Sequence, residues 1–127
     1  MKKVEIINKN LTQEQVEVIC NEDTEPAFKN AYFDNKEKGE YRCGNCDALL
    51  FSSDHKFDSK TGWPSFSKPV EGAEIGTKVD TAYGMKRVEA HCSRCGGHLG
   101  HIFNDGPKET GKRYCINSAS LAFKKED

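Results

Sequence analysis

Arg87-Val88-Glu89-Ala90-His91-Cys92-Ser93-Arg94-Cys95-Gly96-Gly97-His98-Leu99-Gly100-His101-Ile102-Phe103 carries the architecture of this chain. Val88 to His91 alternates apolar and polar residues, as a half-buried strand does. Cys92-Ser93-Arg94-Cys95-Gly96-Gly97 follows as a tight turn, and His98–Phe103 reads as the returning strand. The pattern has one echo, at Cys43-Gly44-Asn45-Cys46, between the strand-like runs Glu40–Cys43 and Leu49–Ser52. Two further β runs are expected at Ile75–Asp80 and Tyr114–Phe123, all broken by Gly, Pro, Asn and Asp at close intervals. Leu11–Cys20 predicts a short helix, with Thr12 as N-cap and Gln15 closing a capping box. The segment 21–40 is polar, with a turn or helix start at Asp23-Thr24-Glu25-Pro26. No long amphipathic helix follows Cys20, so the expected class is mainly β with a small helical N-terminus.

The chain has 127 residues, the size of one domain, so residues 1–127 are taken as a single unit. Hydrophobic residues make up 35% and charged residues 31%, with a net charge of −1. Such a core is thin and would gain from a staple. Near-neutral charge argues against nucleic acid as a partner. No apolar run reaches the ~18–20 residues that span a bilayer, and the basic first residues are not followed by an apolar segment of the signal-peptide kind. The expected location is therefore the cytoplasm, where Cys-x-x-Cys pairs are more often metal or redox sites than disulfides. No exposed apolar stripe is evident, so the sequence gives no oligomeric state, and a monomer is the default expectation.

Six cysteines divide unevenly. Cys43, Cys46, Cys92 and Cys95 form two Cys-x-x-Cys pairs separated by 45 residues. Four thiolates make a closed tetrahedral zinc site, structural rather than catalytic because no position stays open. Gly44 and Gly96-Gly97 offer the backbone freedom such turns need. The bland alternative, one redox dithiol and one incidental pair, lacks a surrounding thioredoxin-like βαβ pattern.

Cys115 is unpaired. If its run is a strand, Arg113, Cys115 and Asn117 share one face, and a guanidinium beside a thiol favours the nucleophilic thiolate. A buried, inert cysteine is the competing reading. His98 and His101 lie in one short motif and could transfer protons near neutral pH; metal ligation or exposure are their alternatives. His55 and His91 lack such context. Gly62-Trp63-Pro64-Ser65-Phe66 is too punctuated for a regular core strand and reads as a shaped loop, though Trp63 could equally be core.

Taken together, the two knuckles, Thr61-Gly62-Trp63-Pro64-Ser65-Phe66, Gly97 to Pro107, Arg113 to Leu121 and Thr24-Glu25-Pro26-Ala27-Phe28 resemble the B-type methionine sulfoxide reductases over roughly residues 11–123. The resemblance implies two antiparallel sheets packed at an angle with short N-terminal helices and one structural zinc. It implies an oxidoreductase of protein repair and the oxidative stress response, reducing the R epimer of methionine sulfoxide in proteins and peptides. Cys115 would attack the sulfoxide sulfur and become a sulfenic acid. His98, His101 and Asn117 would bind and protonate the sulfoxide oxygen, Arg113 would tune the thiolate, and Trp63 and Phe103 would hold the methyl end. Thioredoxin or another thiol would regenerate the enzyme.

One position departs from the family pattern. Many members place a resolving cysteine directly before Gly-Trp-Pro-Ser-Phe, where this chain has Thr61. Cys20 is the spare thiol left for that role; direct reduction of the sulfenic acid is the alternative. Outside the family, the rival readings are a zinc-knuckle binding module without chemistry and a redox-switched zinc sensor.

Overall fold

The computed structural model describes residues 4–81 and 84–126. Met1–Lys3 and Asp127, at the ends of the expected domain, lie outside the described residues. The elements run α1 (Gln13–Asn21), β1 (Gly39–Cys43), β2 (Leu49–Ser52), β3 (Lys56–Phe57), β4 (Ser65–Phe66), β5 (Ile75–Asp80), β6 (Arg87–Cys92), β7 (His98–Phe103), β8 (Arg113–Ile116) and β9 (Leu121–Lys125), with single 3-10 turns at Ser53–His55 and Ser118–Ser120. The mainly-β class and the two antiparallel sheets are as expected: β2-β1-β9 and β3-β4-β8-β7-β6-β5. One α-helix is present among the described residues where the resemblance implied several. It starts at the expected cap: Thr12 accepts from the Gln15 amide, and the Gln15 side chain accepts from the Thr12 amide. Among the described residues no helix is long and apolar enough to cross a membrane.

The hairpin β6–β7 shows why the quoted stretch folds as it does. The Gly96 amide donates to the Cys92 carbonyl at 2.7 Å and the Cys92 amide to the Gly97 carbonyl at 2.8 Å. The first knuckle repeats this, Asp47 to Cys43 at 2.9 Å and Cys43 to Ala48 at 2.8 Å. In each, the residue four after the first cysteine is left-handed: Gly96 at φ 82° and Asp47 at φ 67°. Aspartate is among the few side chains that tolerate this region. The freedom expected of Gly44 is thus exercised by Asp47 instead.

An aromatic seam joins the sheets. Phe51 of β2 stacks on Phe66 of β4 at 4.4 Å, and Tyr41 of β1 meets the same ring edge-on at 5.1 Å. All three are fully buried, and Tyr114 and Phe123 extend the cluster. A chain poor in apolar residues obtains its core from few, large side chains, each aromatic pair adding about 0.5–1.5 kcal/mol beyond burial.

The run 114–123 does not form one strand. β8 ends at Ile116, and the chain then leaves the large sheet through Asn117 and the 3-10 turn to enter the small sheet as β9. Glu25 causes the break. Its buried carboxylate accepts from the amides of Ser118 at 2.5 Å and Ala119 at 2.7 Å, which removes those donors from any ladder. The pairs Lys56–Phe57 and Ser65–Phe66 form two-residue strands that no alternation announces.

Candidate active site

Register places Cys115. It sits directly opposite His101 of β7 on one side and Ser65 of β4 on the other, so their side chains share one face. Gly100 makes the approach possible: a Cβ there would collide with the Cys115 carbonyl. The opposite face of the large sheet carries Ala90, Phe66 and Ile116, all fully buried against the core.

Over Cys115 lies a cavity of about 90 Å³. Trp63, His101, Phe103 and Asn117 line it with Cys115, and Thr24 and Arg87 complete the wall. The Trp63 indole donates to the Glu25 carbonyl at 3.0 Å. Asn117 is buried, its Oδ1 accepting from the Glu25 amide at 3.2 Å and its Nδ2 donating to the Leu99 carbonyl at 3.0 Å. One residue of the N-terminal segment therefore holds the indole, the amide and the exit from β8.

The thiol is governed by opposing effects. Burial pushes the Cys115 pKa up, while the nearby Arg113 guanidinium and Thr61 hydroxyl pull it down; burial wins, and the thiol stays above its ordinary value. The guanidinium is shared. It donates from Nε to Asp105 at 2.9 Å and lies 4.4 Å over the Phe103 ring. Thr61 is anchored through Ser59, which is 2.7 Å from both Thr61 and Ser65.

The two histidines have different places. His101 faces the cavity, with Nε2 2.8 Å from Asp80, which Arg87 also contacts at 3.2 Å. Burial lowers its pKa, partly offset by Asp80. His98 lies beside it, ring centres 5.6 Å apart, and is almost fully buried. Its Nδ1 is 3.1 Å from the equally buried Glu89, and it lines a second cavity of about 260 Å³ together with Cys20, Glu22 and Lys78. Cys20 is thus brought next to His98 and the knuckle residue Cys95 rather than into the cavity over Cys115. Glu22, Glu89 and His98 cluster as cation ligands would, but the Lys78 ammonium already lies 3.2 Å from Glu22 and 3.6 Å from Glu89. His55 lines neither cavity, whereas His91, packed against Gly76, also lines the second one, 3.4 Å from Glu89.

Cys43, Cys46, Cys92 and Cys95 converge, all four sulfurs within 4.8 Å of one another. Cys43 to Cys95 is 3.7 Å and Cys46 to Cys92 is 3.5 Å. Sulfurs 2.3 Å from a central tetrahedral ion stand about 3.8 Å apart, so the donor set and spacing suit a tetrathiolate metal site linking the two sheets.

Sequence reasoning missed Glu25, Asp80, Arg87 and Glu89. Glu25 lay inside the quoted Thr24–Phe28 stretch, but its target lies 93 residues away. The carboxylates behind the histidines gave no signal beyond β alternation.

Comparison with known proteins gives the family. The SelR domain model matches residues 11–125. The chain belongs to the SelR family, the B-type methionine sulfoxide reductases. It is 54% identical over 118 residues to the peptide methionine sulfoxide reductase MsrB of Leptospira interrogans, covering 93% of this chain and 90% of that protein. It is 55% identical over 119 residues to the enzyme of the same name from Methanosarcina barkeri, covering 94% and 84%. The mitochondrial methionine-R-sulfoxide reductase B3 of the mouse is 50% identical over 121 residues, covering 95% of this chain and 48% of that protein. This SelR-family member is accordingly an oxidoreductase.

Proposed function

We propose that this protein is a single reductase domain that reduces the R epimer of methionine sulfoxide in proteins and peptides, with Cys115 as nucleophile. The observation that carries this reading is a thiol at the floor of a small cavity walled by an indole, an imidazole and an amide. An apolar wall with a few polar groups suits a methyl sulfoxide. The Cys115 thiolate attacks the substrate sulfur. The S–O bond breaks, oxygen ends on the Cys115 sulfur, and one proton is taken up, giving methionine and a sulfenic acid. The substrate sulfur is reduced by two electrons and the cysteine oxidised by two.

His101 and Asn117 hold the sulfoxide oxygen, and the His101 imidazole delivers the proton; His98, 3.1 Å from Glu89, stands beside His101. Arg113 and Thr61 support the thiolate, and Trp63 and Phe103 receive the methyl group. Thr61 occupies the position beside the sulfur where many relatives carry a resolving thiol. Since Cys20 lines the other cavity, its forming a disulfide with Cys115 requires a movement of α1, and an external thiol such as thioredoxin is the simpler reductant. Zinc is the ion we assign to the four cysteines, with a structural role. The protein is taken to work as a cytoplasmic monomer.

With dithiothreitol as reductant, the R epimer should be consumed and the S epimer left. Full activity in Cys115→Ser would overturn the assignment. Mass spectrometry after one turnover without reductant separates the regeneration routes: a Cys20–Cys115 disulfide supports Cys20, and a free sulfenic acid supports the external thiol.

A further inference from the structure

Beside the cavity over Cys115, and sharing Trp63 with it, lies a groove of about 470 Å³. Phe28, Phe33, Phe57 and Trp63 supply its apolar surface. We propose that this groove is a subsite for an apolar or aromatic side chain flanking the methionine sulfoxide in a peptide substrate, an inference that rests on the reductase reading above.

Size is the first reason. The cavity over Cys115 has only about a fifth of the groove's volume. It can take the sulfoxide end of one side chain but not the chain that bears it. That chain must leave the cavity, and Trp63, which lines both spaces, adjoins the larger one. The groove's volume lies in the range of pockets that enclose small ligands, about 300–1,000 Å³.

The second reason is Phe28. It is 57% exposed, so its ring contributes little to the core. Its backbone is nonetheless left-handed, at φ 62°, an unfavourable state for a bulky residue. It is pinned there. Its amide donates to the Gly62 carbonyl at 2.9 Å, and the Asn30 side chain donates to the same oxygen at 2.9 Å. Gly62 lies directly under the ring, where a Cβ would stand 2.7 Å from it. Phe33 meets Phe28 edge-on at 5.7 Å. An exposed aromatic held by strained backbone, tied to the loop that carries Trp63, is placed for contact with a ligand.

Charge supports the choice of side chain. The rim mixes Asp34 and Asp58 with Lys36 and Lys60, so no sign of charge is selected and the aromatic surface sets the preference.

The test is steady-state kinetics with dithiothreitol on three substrates: N-acetyl-methionine-R-sulfoxide amide, and blocked pentapeptides with the sulfoxide flanked by phenylalanine or by glycine. Turnover of the first establishes the reductase reading independently; its absence would sink that reading and not merely the subsite. The phenylalanine peptide should have a KM about tenfold below the glycine peptide, as expected for partial burial of one aromatic side chain. In Phe28→Ala that ratio should fall towards one, and Phe28→Leu should keep most of it, with circular dichroism confirming that both variants fold. Equal KM values for the two peptides in the wild-type protein would overturn the proposal. So would a Phe28→Ala variant that raises the KM for reduced thioredoxin while leaving the peptide ratio intact, which would make the groove a reductant-docking surface.

Discussion

At the scale of single residues, the site is a set of side chains held by partners remote in sequence. Cys115 owes its protonation to a contest between burial and two neighbours, and burial wins. In a Cys20→Ser background, alkylation of Cys115 by iodoacetamide should therefore accelerate with rising pH up to and beyond 9. Thr61→Val removes the hydroxyl that draws the thiol down and should move that profile higher still; a midpoint near 7 would show that Arg113 dominates instead. Glu89 makes an opposite case. Burial pushes its pKa up, but the His98 ring, a proton held on Glu22 and the Lys78 ammonium outweigh it and hold the group down to about 2. A depressed carboxylate stabilises the fold fully above its unfolded value and loses that contribution as pH falls through the native one. Between about pH 4.5 and 2 the wild-type protein should lose stability more steeply than Glu89→Gln, read by urea midpoints. Acid loss of metal is common to both proteins and cancels in the comparison.

At the scale of elements, the passage from β8 to β9 shows local pattern overruled by distant chemistry. Leu121-Ala122-Phe123-Lys124 alternates as a strand should, and so does β8, yet the two belong to different sheets. The carboxylate of Glu25 ends the first by binding two amides. Glu25→Ala leaves two buried N–H groups without partners, at about 1–3 kcal/mol each. A loss of about 2–4 kcal/mol in urea unfolding is expected, with Glu25→Gln milder because one acceptor remains. The helix, by contrast, was legible in its cap, though it runs Gln13–Asn21 rather than Leu11–Cys20. Its capping box uses only neighbours three apart, and the backbone geometry of a first turn brings those together in any context.

At the scale of the whole molecule, two devices join the sheets: the aromatic seam and the four-cysteine cluster. Each ties the three-stranded sheet to the six-stranded one. Ligand thiolates have no ordered arrangement in the unfolded chain, so metal affinity becomes folding free energy. Chelation by a strong zinc ligand, or Cys46→Ser, should lower the thermal midpoint and abolish the cooperative transition at moderate temperature, followed by circular dichroism alongside zinc release. Retention of the wild-type transition in metal-free protein would show that the seam alone suffices. The family relation over residues 11–125 accords with this division, since both devices lie inside that span.

The sequence by itself determined the local and the chemical. The strands β5, β6 and β7, the knuckle turns, the grouping of Cys43, Cys46, Cys92 and Cys95 and the separateness of Cys115 were all legible, because alternation, cysteine spacing and cysteine count are properties of short windows or of simple arithmetic. Only the tertiary structure decided which groups serve those residues. Glu25 reaches across 93 positions to end a strand. Asp80 and Glu89 stand behind two histidines. Cys20 joins His98 rather than Cys115. Each of these follows from strand register and from the need of buried polar groups to find partners, and neither is written in the order of the residues along the chain.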